Sequence, residues 1–267
     1  MKSFDIIFVV CTYGAYNDLV NFINSVKKIK YDYKIIVANS FYDEKTKGIM
    51  HDIAQKENCD FLSLTNNGYG HSLNEGIKYA IEKYNFKYLA ISNADILIEN
   101  INLSSIPKGK VVIAPQVKTL SGKRQNPFYI FPHFKLFKFS KFYRDILKKE
   151  NSLIVVIVAK LERIIFNLIY GNKKNCFKKI YAGHGSFILF SKSVLKLLVR
   201  PFEDDIFLYC EENFLGYRLN ERNIPFYYTN DVCVIHTEDG SQHFYKHKVN
   251  NETKKSIEKY HKLIRNK

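Results

Sequence analysis

Three clusters of ionisable side chains are of the types that metal-assisted and acid–base chemistry use. Asp95 directly follows an apolar run, where a buried carboxylate is costly unless it is paired; Mg²⁺ or Mn²⁺ beside a diphosphate is one natural partner. Glu211 and Glu212 open a helical pattern, and either could serve as a general base. His236 closes a strand-like run and is a candidate metal ligand. Each has an alternative interpretation: Asp95 as the cap of a turn, Glu211 and Glu212 as acidic residues that only stabilise a helix N-terminus, and His236 as an ordinary core or surface histidine.

The first third of the chain alternates strand and helix patterns. The strand-like runs are 6–11, 34–38, 61–64 and 88–92, with helical patterns at 18–28, 46–58 and 73–84 between them. This alternation predicts right-handed crossovers and an α/β fold with a mostly parallel sheet and helices on both faces. Ligands of such sheets bind at the carboxyl ends of the strands. Small or polar clusters at all four strand ends therefore predict a ligand site rather than ordinary turns: 12–14, 39–43, 65–70 and 93–95.

The composition bounds the class of protein. The 267 residues are 46% hydrophobic and 25% charged, which excludes disordered, collagenous, coiled-coil and disulfide-scaffold classes. The formal charge of +15 favours polyanions, phosphorylated small molecules or an anionic membrane surface as partners. Five scattered cysteines and an N-terminus that leads directly into a strand predict reduced thiols and a cytoplasmic location.

The middle of the chain is strongly basic. Residues 133–200 contain 15 Lys and Arg against three acids. Residues 153–170 are apolar, but Lys160, Glu162 and Arg163 in their middle would each cost roughly 2.5–3.5 kcal/mol at a bilayer centre. This pattern predicts an amphipathic helix that packs on the core or lies on an anionic membrane surface. The basic C-terminal pattern at 251–267 predicts a solvated helix.

Five segments carry the motifs of a known family, in order, within about residues 5–240. They are Phe-Val-Val-Cys-Thr-Tyr at 8–13, Asn-Asn-Gly-Tyr-Gly at 66–70 leading to Asn-Glu-Gly-Ile at 74–77, Asn-Ala-Asp at 93–95, the stretch 183–191, and Phe-Leu-Tyr-Cys-Glu-Glu at 207–212 followed by Tyr-Arg-Leu at 217–219. This set resembles the family 2 glycosyltransferases of GT-A fold, especially the bacterial rhamnosyltransferase-like branch.

The resemblance implies an inverting transfer of a sugar from a nucleotide-diphosphate sugar, such as a UDP- or dTDP-sugar. The acceptor would be a hydroxyl of a glycan or polyprenyl-linked molecule in bacterial surface polysaccharide synthesis. By this resemblance Asp95 and His236 bind Mn²⁺ or Mg²⁺, and Glu212 is the base, with Glu211 as the alternative. The implied donor-binding residues are Thr12, Tyr13, Gly14, Asn39, Asp43, Gly68, Asn74 and Asn93.

The resemblance also implies a division of the chain. Residues 1–115 would bind the nucleotide sugar, and 116–245 would bind the acceptor and carry the catalytic residues, with a basic helical insertion at about 133–180. Residues 246–267 would form a basic C-terminal helix. The chain departs from the family pattern at two positions. Ala38 occupies the place of the acidic residue that helps to recognise the nucleotide base, and Glu212 occupies the place of the catalytic Asp.

Two other classes of protein are weaker alternatives. A nucleic-acid-binding protein would suit the charge and the 40 Phe and Tyr, but the basic residues have no module spacing and the aromatics lie in apolar runs. A sugar-phosphate nucleotidyltransferase would need a Gly-rich cationic loop after the first strand, and residues 12–16 lack the cation. A catalytically inactive binding protein of the same family is also compatible with the motifs.

Overall fold

The computed structural model describes residues 1–132, 153–173, 175–238 and 249–265. The first part of the predicted basic insertion, 133–152, lies outside the described residues. The elements are β1 (Ser3–Thr12), α1 (Tyr16–Val26), β2 (Tyr33–Ser40), α2 (Glu44–Lys56), β3 (Asp60–Leu64), α3 (Tyr69–Lys83), β4 (Asn85–Asn93), β5 (Ile96–Ile101), β6 (Val112–Thr119), α4 (Leu153–Tyr170), β7 (Lys178–Ile180), β8 (Phe187–Ser191), α5 (Lys192–Leu198), α6 (Glu211–Glu221), β9 (Phe226–His236) and α7 (Val249–Arg265).

The strands form one sheet in the order β3-β2-β1-β4-β8-β6-β9-β5, and β7 pairs with β9. The predicted α/β class is confirmed. Strands β1 to β4 pair in parallel as the alternation of strands and helices predicted. Beyond β4 the sheet is mixed, because β8 runs antiparallel to both β4 and β6. The predicted division at 115/116 falls inside β6, so both predicted halves contribute to the same sheet.

Strand β1 is buried on both faces of the sheet, which explains its continuous apolar run. Ile7 and Val9 face one core, which also contains the apolar side of α3. Phe8 and Val10 face the other core, into which α1 and α2 pack. Because the sheet is covered on both faces, its carboxyl edge is the place where polar loops converge.

The register aligns the carboxyl ends of the central strands. Thr12 of β1 pairs with Asn39 of β2, and Cys11 pairs with Asn93 of β4. The loops after these three strands therefore leave the sheet side by side. The candidate site lies at this edge.

The predicted amphipathic helix is present as α4. Phe166 on its inner side is 6% exposed and packs against Tyr228, with ring centroids 5.2 Å apart, while the outer side is apolar and exposed. None of the helices in the described ranges combines the length and apolar composition needed to cross a bilayer.

Helix α7 corrects the prediction of a solvated C-terminal helix. Ser256, Tyr260 and Ile264 are buried, and Tyr260 packs against Phe214 of α6 with ring centroids 5.3 Å apart. The spacing of four residues places this stripe on one side of the helix. The basic composition of the segment hid the stripe.

Candidate active site

Asp95 and His236 face each other at the carboxyl edge of the sheet. Asp95 lies in the short turn between β4 and β5, and the pairing of Ile96 with His236 brings the two side chains together. His236 Nε2 is 3.2 Å from Asp95 Oδ2, and both residues are less than a tenth exposed. Thr237 N donates to Asp95 O at 3.0 Å, which fixes the turn. The predicted pair is thus formed by two strands far apart in sequence.

Gln125 fixes which nitrogen of His236 faces the aspartate. Gln125 Nε2 donates to Glu238 Oε1 at 2.6 Å, so its amide oxygen points the other way. That oxygen is 2.8 Å from His236 Nδ1 and accepts the proton there. In the neutral imidazole, Nε2 then carries the lone pair and faces Asp95. No pattern in the sequence marks Gln125 as a site residue.

The carboxylate of Asp95 and the imidazole of His236 are chemically suited to bind a divalent cation. Within the described residues, Asp95 Oδ1 is buried without a hydrogen-bond partner, which is costly for a carboxylate oxygen unless something binds it. Mn²⁺ and Mg²⁺ favour carboxylate oxygen, and an imidazole nitrogen is a common further ligand. No group of three His, Cys, Asp or Glu suited to a metal occurs in the part of the chain that the structure describes. The other ligands of such a cation would therefore come from a bound molecule or water.

A second histidine, His184, lies beside the pair. Its ring centroid is 5.5 Å from that of His236, and its Nδ1 is 2.8 Å from Ser186 Oγ. Burial lowers the pKa of His184 to about 3, and the neighbouring His236 and Arg163 lower it further. His184 is therefore neutral at physiological pH. His184 lies within the motif stretch 183–191, but no feature of the sequence distinguishes it there.

Glu211 and Glu212 begin α6, as predicted, after a strained turn. Tyr209 and Cys210 have φ values of 72° and 69°, a region that non-glycine residues rarely adopt. Two consecutive residues in this region are of the kind that functional sites retain despite the cost. The turn directs the following carboxylates towards the sheet edge.

The two carboxylates differ in their surroundings. Glu212 is partly exposed, and its Oε1 accepts a hydrogen bond from Gly185 N at 3.0 Å. A Cβ at Gly185 would lie 2.7 Å from that oxygen, so a larger residue there would displace the Glu212 carboxylate from its present position. Glu211 is 6% exposed, and among the described residues its Oε1 has no partner. Burial raises the pKa of both carboxyls, and the charge of Glu212 raises that of Glu211 further.

Tyr69 joins the two halves of the site. Its hydroxyl lies 2.7 Å from Asn93 Oδ1 and 3.0 Å from Gly185 O, so it bridges the end of β4 and the loop that holds Glu212. Burial raises the pKa of Tyr69, and the nearby Cys11, Glu211, Glu212 and Asp95 raise it further. The Tyr69 hydroxyl thus lies within electrostatic range of all three candidate carboxyls. We take the residues around this hydroxyl as the candidate site.

Gly68 sets the position of Tyr69. Its φ is 111°, and a Cβ there would lie 2.6 Å from the backbone oxygen of Phe207. Tyr69 N donates to that same oxygen at 2.9 Å. The N-terminus of α3 is therefore packed directly on the segment that leads to Glu211.

Thr12 and Asn39 form the floor of the predicted donor pocket. Thr12 Oγ1 donates to Asn39 Oδ1 at 3.0 Å. Within the described chain, Asn39 Nδ2 is buried without an acceptor, so one amide donor is available to a ligand. Tyr13 stacks edge-on with Tyr42, with ring centroids 5.1 Å apart, and Gly14 has a φ of 75°.

Two predicted donor-binding residues have their side chains engaged in local structure. Asp43 Oδ1 accepts from Thr46 N at 2.7 Å and caps α2. Asn74 is fully buried: Nδ2 donates to Phe202 O at 2.9 Å, and Oδ1 accepts from Phe202 N at 3.2 Å. Asn74 therefore anchors the loop around 202–204 through its side-chain amide. Its spacing after Gly68 could not distinguish these roles.

Solved structures of several glycosyltransferases have the same fold. GalNAc-T7, solved with UDP, GalNAc and Mn²⁺, has a TM-score of 0.60 at 13% identity over 88% of this chain and 44% of its own. TarS of S. aureus has a TM-score of 0.57 at 14% identity, with coverages of 87% and 36%. The mannosyltransferase PcManGT from Pyrobaculum calidifontis, solved with GDP-Man and Mn²⁺, has 0.53 at 12%, with coverages of 91% and 60%. The chain thus spans between about a third and three fifths of the length of these proteins, and the likeness defines its fold as GT-A.

The sequence match is narrower than the structural one. The sequence model described as Glycosyl transferase family 2 matches residues 7–106, which include most of β1, all of β2 to β4 and Asp95. No curated protein matches the chain. The match to the rhamnosyltransferase-like branch stays a prediction.

Proposed function

We propose that this protein is a metal-dependent, inverting glycosyltransferase that moves a sugar, in the class of a hexosyltransferase, from a nucleotide-diphosphate sugar to an acceptor hydroxyl. The observation that carries the proposal is the set of contacts around the Tyr69 hydroxyl. This hydroxyl contacts Asn93, two residues before the Asp95–His236 pair, and the backbone oxygen of Gly185, whose N–H binds Glu212. The family match over 7–106 supports it.

The Asp95 side of the candidate site would hold the donor. Asp95 and His236 would bind Mn²⁺ or Mg²⁺ against the donor diphosphate, and the unpartnered Asp95 Oδ1 supports this. A bound cation supplies Lewis-acid stabilisation of the charge that develops on the leaving diphosphate. The structures of TarS with UDP-GlcNAc and of PcManGT with GDP-Man and Mn²⁺ support a nucleotide-sugar donor and a divalent metal. Asn39 Nδ2 would donate to the nucleotide.

The Glu212 side would deprotonate the acceptor. Glu212 is partly exposed and oriented by Gly185 N, so an incoming hydroxyl can reach its carboxylate. A raised pKa improves a carboxylate as a base, because proton transfer is most efficient when the pKa lies close to the working pH. Attack from this side, opposite the diphosphate, would invert the anomeric carbon. Glu211 is the alternative base.

The acceptor belongs to the same proposal. We infer a glycan or polyprenyl-linked acceptor in bacterial surface polysaccharide synthesis, with the rhamnosyltransferase-like branch as the nearest match of motifs. The basic middle of the chain supports an anionic acceptor such as a polyprenyl diphosphate.

The decisive experiment is a thermal-unfolding panel of UDP, dTDP and GDP, each with and without Mn²⁺. A ligand that binds only the native state raises its stability by about 2.7 kcal/mol at a hundredfold excess over Kd. We expect one diphosphate to raise the midpoint with Mn²⁺ and to lose that effect in Asp95→Asn. Asp52→Asn is the matched control, since Asp52 is 82% exposed on α2. If none of the three diphosphates raises the unfolding midpoint of the folded protein, with or without Mn²⁺, the proposal is wrong.

A further inference from the structure

Five large aliphatic side chains on one side of α4 face solvent. Leu161, Ile164, Ile165, Leu168 and Ile169 are 54%, 47%, 57%, 82% and 49% exposed. Their spacing of i, i+3, i+4, i+7 and i+8 gives a continuous stripe about 12 Å long. These five residues are named here the α4 apolar face. A contiguous apolar surface of this kind marks an interaction site more often than scattered exposed residues do.

The opposite side of α4 is fixed to the protein, so the apolar face cannot turn inward. Phe166 is buried against Tyr228. Arg163 Nη1 donates to Gln125 O and Asn167 Nδ2 donates to Asn126 O, both at 3.2 Å. The helix therefore presents this face to the outside as a built feature of the fold.

Cations lie near both ends of the α4 apolar face. Lys160 is exposed on the helix itself. At its C-terminal end, the ammonium groups of Lys173 and Lys178 lie 5.3 and 4.6 Å from the ring centroid of Tyr170. The described residues of 153–180 contain five Lys and Arg against one acid. An exposed apolar stripe flanked by cations is the pattern of a helix that lies in the interface of an anionic bilayer.

We infer that the α4 apolar face docks on the surface of an anionic lipid bilayer, with its side chains among the acyl chains and the flanking cations at the headgroups. The charges argue against a second copy of this chain as the occupant, because two strongly basic surfaces would be brought face to face. Lys160, Glu162 and Arg163 keep the helix at the interface rather than across the bilayer.

The docked helix would bring the candidate site to the membrane. Arg163 and Asn167 bond to the backbone of Gln125 and Asn126, and these residues contact His236 and His184. If the proposed sugar transfer holds, on which this step alone rests, the acceptor is a hydroxyl of a lipid-linked molecule at the bilayer face. The docking itself does not depend on catalysis.

The test is sedimentation of the full chain with phosphatidylcholine vesicles, with and without phosphatidylglycerol, at low and high salt. We expect binding to the anionic vesicles at low salt and weaker binding at high salt. Leu168→Glu should weaken binding roughly tenfold or more, since it replaces a membrane-facing aliphatic group by a charge. Leu197→Glu is the matched control, because Leu197 is 47% exposed on α5. Helix α5 begins directly after Ser191 and packs on β4 and β8. Ser191 pairs with Tyr88, at the end of the strands that lies away from Asn93 and the candidate site.

Several results would overturn the docking. Wild-type protein that stays in the supernatant, or Leu168→Glu that binds as well as wild type, contradicts it. A wild type that self-associates without vesicles, with Leu168→Glu monomeric, assigns the face to a second copy instead. Thermal unfolding should show both variants folded. The nucleotide panel is run in parallel without lipid, so loss of vesicle binding with intact nucleotide binding overturns the docking and leaves the proposed transfer standing.

Discussion

His236 Nδ1 lies 2.8 Å from Gln125 Oε1, so the imidazole is oriented by a neutral amide from the loop that follows β6. Gln125 is in turn held by Glu238 through its amide nitrogen and by Val117 O through its backbone. Ligand histidines in metal sites are commonly oriented in this way through their second nitrogen. Gln125 is therefore a positioning residue for the candidate cation site.

Replacing Gln125 by Leu should weaken Mn²⁺ binding by about 10–100-fold, because the imidazole loses the acceptor that fixes its tautomer. The measurement is a Mn²⁺ titration followed by electron paramagnetic resonance of the free ion, in the presence of the nucleotide diphosphate. Glu238→Gln is the control, since its amide oxygen still accepts from Gln125 and affinity should stay near wild type. Unchanged Mn²⁺ affinity in Gln125→Leu would mean that His236 does not bind the metal through Nε2.

Replacing Glu212 by Gln should lower kcat by about 10²–10⁴-fold, which is the usual contribution of a general base. Nucleotide affinity should change little, because Gln keeps an oxygen that can accept from Gly185 N.

In wild type, kcat/KM should rise with pH along a limb centred above the ordinary glutamate pKa of 4.5, since burial raises the pKa of Glu212 and only the ionised carboxylate accepts a proton. Glu211→Gln should keep this limb. Loss of the limb in Glu211→Gln but not in Glu212→Gln would exchange the two roles.

Glu211 should make the protein's stability fall as pH rises. Burial and the charge of Glu212 raise the pKa of Glu211 in the folded state, so folding favours the protonated form. Its stabilising effect is complete below the unfolded pKa and is lost as pH rises through the raised pKa, with a slope of at most about 1.4 kcal/mol for each pH unit between the two pKa values. Glu211→Gln should therefore gain stability relative to wild type at alkaline pH. Urea unfolding at pH 5 and pH 9 measures it, and a constant difference between the two pH values would contradict it.

Local patterns predicted the half of the fold in which sequence neighbours pack together. The apolar runs of β1 to β4 and the helices between them are consecutive in the chain, so alternation alone fixes their parallel pairing. The order β8-β6-β9-β5 depends on long-range pairing and could not be obtained from periodicity. The stripe 256, 260 and 264 of α7 is detectable at helical spacing, but the basic residues around it masked it.

The residues of the candidate site also fall into those that the sequence predicts and those that depend on the tertiary fold. Asp95 and His236 could be predicted because each ends an apolar run, and such strand ends meet at one edge of a sheet. Gln125 reaches His236 only because the chain after β6 folds back, with Gln125 N donating to Val117 O. No spacing in the sequence signals that contact. Tyr69 lies inside a quoted motif, but its bridge to Gly185 spans 116 residues and depends on the tertiary fold.

Asn39 and Asn74 provide a matched pair of asparagines with opposite expected effects. Asn74→Ala removes the partners of the Phe202 backbone N–H and C=O, and each buried group left unsatisfied costs about 1–3 kcal/mol, so stability should fall by roughly 2–4 kcal/mol. Its nucleotide affinity should stay near wild type at a temperature where it is folded. Asn39→Ala removes the unpartnered buried amide donor and should weaken nucleotide binding about 3- to 10-fold, with a smaller loss of stability. Urea unfolding and calorimetric titration with the nucleotide separate the two effects. Weaker nucleotide binding in folded Asn74→Ala would instead show that Asn74 helps to bind the donor, as the family motif implies.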